Sequence, residues 1–225
     1  MDAFDRRGIE WQTDILPKAA KAALDYFSKQ NWLKRSSWYL AGGTALALRA
    51  GHRSSVDLDF FNPKKFSSQA LIKKLPVDLW RTINLEEGTI YGELLGAKIS
   101  FIYYPLFIPR RPQGRYGTIG ILDERDIAVM KIIAISQRGR KRDFADLYWY
   151  CRNREPFIDI IRRLPRQYPA VAHNYHHIIK SLVYFADAEN EPMPELFLTG
   201  IGRKSRAFLK KRLRSQPKNF LDFNY

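Results

Sequence analysis

Between Ser54 and Phe61 the chain reads Ser-Ser-Val-Asp-Leu-Asp-Phe-Phe, and this alternation of acid and apolar residues constrains the fold more than any other stretch. Successive side chains of a β-strand point to opposite faces, so Asp57 and Asp59 share one face while Val56, Leu58 and Phe60 share the other. At a rise of roughly 3.3 Å per residue, the two aspartate Cα atoms stand about 6.6 Å apart. The segment is expected to be a strand that buries one apolar face and presents two carboxylates together. A half-exposed strand with solvated acids has the same pattern. A pair of hard carboxylate oxygens also suits Mg²⁺, which takes one or two carboxylates plus substrate phosphates.

The residues upstream favour the ligand-binding reading. Ser37-Trp38-Tyr39-Leu40-Ala41 is a short apolar run bounded by polar residues and reads as a buried strand. Gly42-Gly43 follows, then Thr44 to Ala50, a run of good helix formers closed by Gly51. A glycine turn at a helix N-terminus lets backbone N–H groups approach an anion, and the helix dipole favours the negative charge. Thr44 adds a hydroxyl. A tight turn with no ligand would also use Gly-Gly. With two facing acids about fifteen residues later, a phosphate site and a metal site are expected side by side, which is what transfer of a nucleotide requires.

Gly42-Gly43-Thr44-Ala45-Leu46-Ala47-Leu48-Arg49 and Gly51-His52-Arg53-Ser54-Ser55-Val56-Asp57-Leu58-Asp59-Phe60-Phe61 resemble the first motif of the AbiEii-type nucleotidyltransferases. These are toxins of toxin–antitoxin and phage-defence systems within the DNA polymerase beta-like superfamily. Lys131, followed by Arg138-Gly139-Arg140-Lys141-Arg142-Asp143-Phe144-Ala145-Asp146-Leu147, resembles the family's helical lysine and its Arg-Asp-x-x-Asp-Leu motif. The resemblance spans about residues 37–150. It implies an α+β fold: a polymerase beta-like nucleotidyltransferase domain with a small mixed sheet, followed by a mainly helical C-terminal domain. It also implies metal-dependent transfer of NMP from an NTP to RNA, with the tRNA 3′ end as acceptor, and a cognate antitoxin protein as partner.

Composition narrows the setting. One cysteine, Cys151, excludes an internal disulfide framework and suits a reducing compartment; it reads as a small filler near a helix end. No apolar leader and no long apolar run is present, so neither secretion nor membrane spanning is expected and the cytoplasm is the expected location. The net charge of +15 attracts polyanions. Arg203 to Lys218 holds eight basic residues and no acid: Arg203, Lys204, Arg206, Lys210, Lys211, Arg212, Arg214 and Lys218. Further clusters are Arg110-Arg111 with Arg115, and Arg138 to Arg142. Lysine and arginine contacts to phosphates release counterions and give affinity independent of sequence. One cluster alone is equally a solvated face or tail; several beside a nucleotide site point to nucleic acid.

Pattern along the chain places these motifs. A leading helix is expected within 16–30 and a short one after Ser67. Three successive strands are expected at 78–85, 89–95 and 97–104, with turns at Glu87-Gly88 and Gly96. Residues 105–117, rich in Pro and Arg, read as an exposed loop. Asp123 is expected to cap a helix, with Asp126 in its first turn. Ile127, Met130, Lys131 and Ala134 share one face of that helix. A lysine there either snorkels or meets an anion. A second helix is expected from about 141 to 153, carrying Asp143 and Asp146, either pairing with Lys141 or Arg142 or acting at the site. Pro156 and Pro165 bracket another helix. The boundary between an α/β domain (1–120) and a helical domain with a basic tail (121–225) falls near residue 120. His52, His173, His176 and His177 have no cysteine partners at zinc spacing and read as surface or core residues.

In the expected mechanism a hydroxyl attacks the α-phosphate and pyrophosphate leaves. Asp57 and Asp59 hold Mg²⁺ (or Mn²⁺); Gly42, Gly43 and Ser55 cradle the triphosphate; Lys131 and Arg53 neutralise it; Asp143 or Asp146 orients the lysine or a substrate hydroxyl. The polymerase beta-like superfamily carries a third carboxylate on a later strand. Ser100 stands where that acid is sought, and Glu93 lies one strand away. One metal, a base from Asp143 or Asp146, or a degraded enzyme are the readings this leaves. Two rivals differ in class: a small-molecule nucleotidyltransferase, which needs no basic tail, and a catalytically inactive nucleic-acid-binding module.

Overall fold

A computed structural model describes residues 8–111, 113–184 and 186–197. After a 3₁₀ turn at Thr13–Ile15 come α1 (Lys18–Phe27), α2 (Asn31–Lys34), β1 (Tyr39–Ala41), α3 (Gly42–Ala50), β2 (Asp57–Asn62) and α4 (Ser68–Ile72). Strands β3 (Trp80–Glu86), β4 (Thr89–Leu94), β5 (Ala97–Tyr103), β6 (Gly114–Tyr116) and β7 (Ile119–Ile121) follow. Helices α5 (Glu124–Arg138), α6 (Lys141–Asn153), α7 (Phe157–Ile161), α8 (Leu164–Gln167), α9 (Tyr175–Val183) and α10 (Ala186–Glu189) complete the described chain. The basic residues Arg203, Lys204, Arg206, Lys210, Lys211, Arg212, Arg214 and Lys218 lie outside the described residues.

The strands form one mixed sheet in the order β3-β4-β5-β2-β1-β7-β6. β2 lies between β5, which runs parallel to it, and β1, which runs antiparallel. Its side chains alternate in burial as the sequence pattern requires: Leu58 and Phe60 are buried, while Asp57, Asp59 and Phe61 are half-buried on the other face. Val56 departs from that pattern; it precedes the strand and is 52% exposed, because pairing begins only at Asp57. On the buried face Phe60 stacks on Phe101 of β5 with ring centroids 5.2 Å apart, and Phe27 of α1 meets Phe60 edge-on at 5.1 Å. Each such pair contributes about 0.5–1.5 kcal/mol beyond the area it buries. This aromatic packing holds the central strand in place, so the opposite face can present its half-buried carboxylates to the cleft.

α3 begins at Gly42 rather than Thr44 and ends at Gly51 in the left-handed conformation. Asp123 caps α5 by accepting from Arg125 N at 3.0 Å. α5 packs against α3, α6, α7 and α9. β7 ends at Ile121 and α5 begins at Glu124; the division near residue 120 stands as a proposal.

Three expectations are corrected or extended. Residues 105–117 are not simply an exposed loop. Phe107 and Tyr116 are buried, and β6 pairs with β7, which in turn pairs parallel to β1. Asp126 is not only a first-turn charge. It is buried, and its carboxylate accepts from Arg110 N, Arg111 N and Gln167 Nε2, tying the preceding segment to the helix. Pro165 also falls inside α8 instead of closing α7, which stops at Ile161. No helix among the described residues is long and apolar enough to cross a membrane.

Candidate active site

A cleft of about 710 Å³ opens on the sheet face that carries Asp57 and Asp59. Gly42, Gly43, Arg53, Ser55, Lys131 and Asp143 line it with them, as do Ser100, Arg138, Arg140 and Arg142. Four separate segments predicted from the sequence therefore meet at one concavity. Thr44 and Asp146 are not on its wall.

The two glycines are where they are for close approach. Gly42 has φ +71°, and a Cβ there would meet Asp59 Oδ2 at 3.3 Å. A Cβ on Gly43 would lie 2.1 Å from an Arg53 nitrogen, so the Arg53 side chain passes over the start of α3 only because no side chain stands there. Thr44 is buried beneath this turn. Its hydroxyl lies 2.8 Å from Ser55 Oγ and also hydrogen-bonds the Asp57 carbonyl, pinning the start of β2 to α3. Ser55 reaches the cleft; Thr44 does not.

Asp57 pairs with Arg142 of α6 through Oδ2 at 2.9 Å. Asp59 stands opposite Ser100 of β5 in register, and the Ser100 hydroxyl donates to it. Burial raises the pKa of Asp59, and the neighbouring Asp57 charge adds to the rise; the Ser100 hydrogen bond opposes it. The serine found where a third carboxylate was sought thus touches the acid it would have accompanied. Glu93 does not replace that acid: it pairs with exposed Arg81 at 2.7 Å and is not on the cleft wall. Among the described residues no group of three or more His, Cys, Asp and Glu is placed to hold a metal ion.

The second acid pair is arranged differently. Asp146 is fully buried and accepts on both oxygens: Arg53 Nε at 2.5 Å and His52 Nε2 at 2.8 Å on Oδ1, Arg53 Nη2 at 2.9 Å and Lys131 Nζ at 2.6 Å on Oδ2. Those contacts use the roughly four lone-pair sites of a carboxylate. Asp143 pairs with Lys131 Nζ at 2.6 Å and Arg138 Nε at 3.1 Å. Burial alone would raise both pKa values; the surrounding cations outweigh it, holding Asp143 below the usual carboxylate range and Asp146 well below. The pairing option with Lys141 or Arg142 is not the one adopted: Lys141 binds the carbonyls of Glu189 and Glu191, and Arg142 binds Asp57. Lys131 has three N–H donors; two go to the aspartates, and its ammonium still lines the cleft.

Sequence reasoning set aside His52. It is buried, its ring lies tilted against Trp149 with centroids 4.9 Å apart, and its imidazole is kept from charging by that burial. Its position beside Arg53 in the motif loop was the available signal. Arg138 and Arg142 were visible only as members of a basic cluster. The motif loop is also fastened from the far end of the described chain: Ser54 N donates to Glu195 O at 2.9 Å and Phe197 N to His52 O at 2.7 Å.

Known proteins resemble this chain along most of its length. Residues 30–79 and 98–223 match the family model "Nucleotidyl transferase AbiEii toxin, Type IV TA system". The uncharacterized protein aq_aa25 of Aquifex aeolicus is 38% identical over 164 residues, covering 69% of this chain and 77% of that protein. Among solved structures, the nucleotidyltransferase toxin MenT4 of Mycobacterium tuberculosis is 16% identical with a TM-score of 0.51, over 92% of this chain and 87% of that one. JHP933 of Helicobacter pylori is 18% identical with a TM-score of 0.49, over 92% and 93%.

Proposed function

Because the chain belongs to the AbiEii nucleotidyl transferase toxin family, we propose that it moves NMP from an NTP to a hydroxyl of an RNA acceptor, the 3′ end of tRNA. The observation that carries this reading is the single cleft in which Asp57 and Asp59, the Gly42-Gly43 turn and Lys131 all take part. The α3 N-terminus favours the anionic triphosphate. Ser55 and Arg53 border it, and Lys131 adds a positive charge fixed in place by two aspartates.

The donor set fits a divalent ion: two carboxylates on one strand face, with Asp59 destabilised as an anion by burial and by Asp57, suit Mg²⁺ or Mn²⁺ completed by substrate phosphates. When bound, such an ion polarises the phosphoryl oxygens and stabilises the charge on the leaving pyrophosphate. The remaining work belongs to the chain. The acceptor oxygen forms a bond to the α-phosphorus, the bond to the β-phosphate bridging oxygen breaks, and pyrophosphate departs with that electron pair. Asp146 has no free lone pair to take the acceptor's proton, and the cations around Asp143 make it a weak base. Both are assigned to positioning Lys131, and the proton leaves to cleft water.

An RNA acceptor accords with the excess of basic over acidic side chains and with Lys98 and Arg140, exposed on the cleft wall. Family membership supports a cognate antitoxin partner, and a cytoplasmic reaction accords with the proposed substrates. The test is incubation with each labelled NTP, Mg²⁺ and total tRNA, comparing wild type with Asp57→Ala. Label appears on tRNA with the wild type alone. Absence of label with every NTP defeats the reading, and label on a small molecule but not on RNA replaces the acceptor.

A further inference from the structure

Beyond the acids, the cleft floor carries an aromatic side chain that phosphoryl transfer does not use. In register across three strands, Asp59 of β2 stands beside Ser100 of β5, and Ser100 beside Tyr91 of β4. All three line the cleft. Neighbouring strands lie about 4.8 Å apart, so along this row Tyr91 is roughly 10 Å from Asp59. That is about the reach from a nucleotide's α-phosphate across the ribose to its base. Ser100 is the short residue between them, and it leaves the row open.

The surroundings of Tyr91 are those of a platform. Its side chain is 36% exposed. Ile83, at the irregularity in β3 between Thr82 and Asn84, is 53% exposed and lines the same cleft. Ile102, two residues beyond Ser100 on β5, continues the apolar floor. An exposed tyrosine and isoleucine in a cleft leave apolar area against water that a flat ring would cover.

We propose that Tyr91, with Ile83 and Ile102 beside it, is a seat on which a nucleobase stacks, supplied by the NTP or by the terminal nucleotide of the acceptor. The proposal rests on the transferase reading above. Every base has a π-face, so stacking grips any of the four bases without choosing among them. Tyr91 is then a substrate-contacting residue whose ring matters and whose hydroxyl does not.

The test measures binding of ATP, CTP, GTP and UTP, and of inorganic tripolyphosphate, to the full chain with Mg²⁺, for wild type, Tyr91→Phe and Tyr91→Ala. The KM for tRNA is measured alongside. Tyr91→Ala is expected to weaken binding of the NTP that transfers by about tenfold or more. Tyr91→Phe stays within about twofold of wild type, and tripolyphosphate binds all three alike. If NTP binding holds but Tyr91→Ala raises the KM for tRNA by a similar factor, the seat takes the acceptor's base. If neither changes, if tripolyphosphate weakens in parallel, or if Tyr91→Phe fails as Tyr91→Ala does, the seat is overturned. A wild type that binds NTPs through Tyr91 yet transfers no label sinks the transferase reading and spares the seat.

Discussion

Asp57 and Asp59 on β2 and Asp143 and Asp146 on α6 are both closely spaced aspartate pairs, and both reach the same small region of the molecule. Their electrostatics are opposite. The strand pair faces an open cleft, and Asp59 is left with a serine hydroxyl and a raised pKa. The helical pair is buried among Lys131, Arg53, Arg138 and His52, which hold both pKa values down. Asp57 has one partly exposed partner, Arg142, and Asp59 has no ion pair among the described residues, so the pair is ready to take a cation from solution. An acid that already has more cations than it needs serves to fix them in place. On the proposed reading the first pair serves ligands, and the second, buried among cations, serves architecture.

The largest expected effect separates the two roles. Asp57→Asn should lower label transfer by about a thousandfold or more, since it removes a ligand of the ion that stabilises the leaving charge. Its thermal midpoint should stay close to wild type, because Asp57 and its partner Arg142 are both partly exposed and pairs of that kind contribute about 1 kcal/mol or less. A collapse in melting temperature would erase the contrast.

Asp146→Ala should do the reverse. It leaves Arg53 and Lys131 buried without their shared partner, a change that costs about 3–5 kcal/mol. In a chain of this size that lowers the melting temperature by roughly 6 °C or more. A stable but inactive Asp146→Ala protein would move Asp146 into the chemistry and break the division drawn here.

A smaller effect concerns pH. A carboxyl whose folded pKa is raised stabilises the fold below its unfolded pKa and loses that contribution as pH rises through the folded value. Asp59 is such a group, so at neutral pH its ionised form strains the fold. Asp59→Asn should therefore melt a few degrees higher than wild type at neutral pH, with the gain shrinking as pH falls toward about 4. Asp146 runs the other way: its contribution is complete above its unfolded pKa and declines only as pH falls below about 4. Melting curves across pH for wild type and Asp59→Asn check both signs; a mutant less stable at neutral pH contradicts the first.

Much of this was legible in the sequence, and the parts that were not share a cause. The acid strand, the glycine turn and the helical lysine followed from local spacing, because period two and period 3.6 are written into consecutive residues; the family followed from the resemblance of those motifs. Strands β3 to β5 were marked by their turns. The β6–β7 hairpin was missed because its strands are three residues each, and it joins the sheet only through the pairing of β7 with β1. Nothing local distinguishes them from a loop rich in Pro and Arg. The work of Asp146 was equally hidden: His52 and Arg53 lie 94 and 93 positions away from it in the chain. Arg142 meets Asp57 across 85 positions. No periodicity reports such pairings. The departure of Val56 from the buried face shows the limit from the other side, since alternation states which face a residue takes but not where pairing begins.

The clasp between the motif loop and residues 195–197 has a temporal meaning. Ribosomes make the chain from its amino end, so both acid pairs, the glycine turn and the lysine emerge before Glu195 and Phe197, whose backbone atoms fasten Ser54 and His52. Glu191, which receives Lys141 N at 2.8 Å, is equally late. The rim of the cleft is therefore the last part of the described molecule to be tied down during synthesis, and a nascent chain carries the acids and lysine of the cleft well before it carries the knot that sets them.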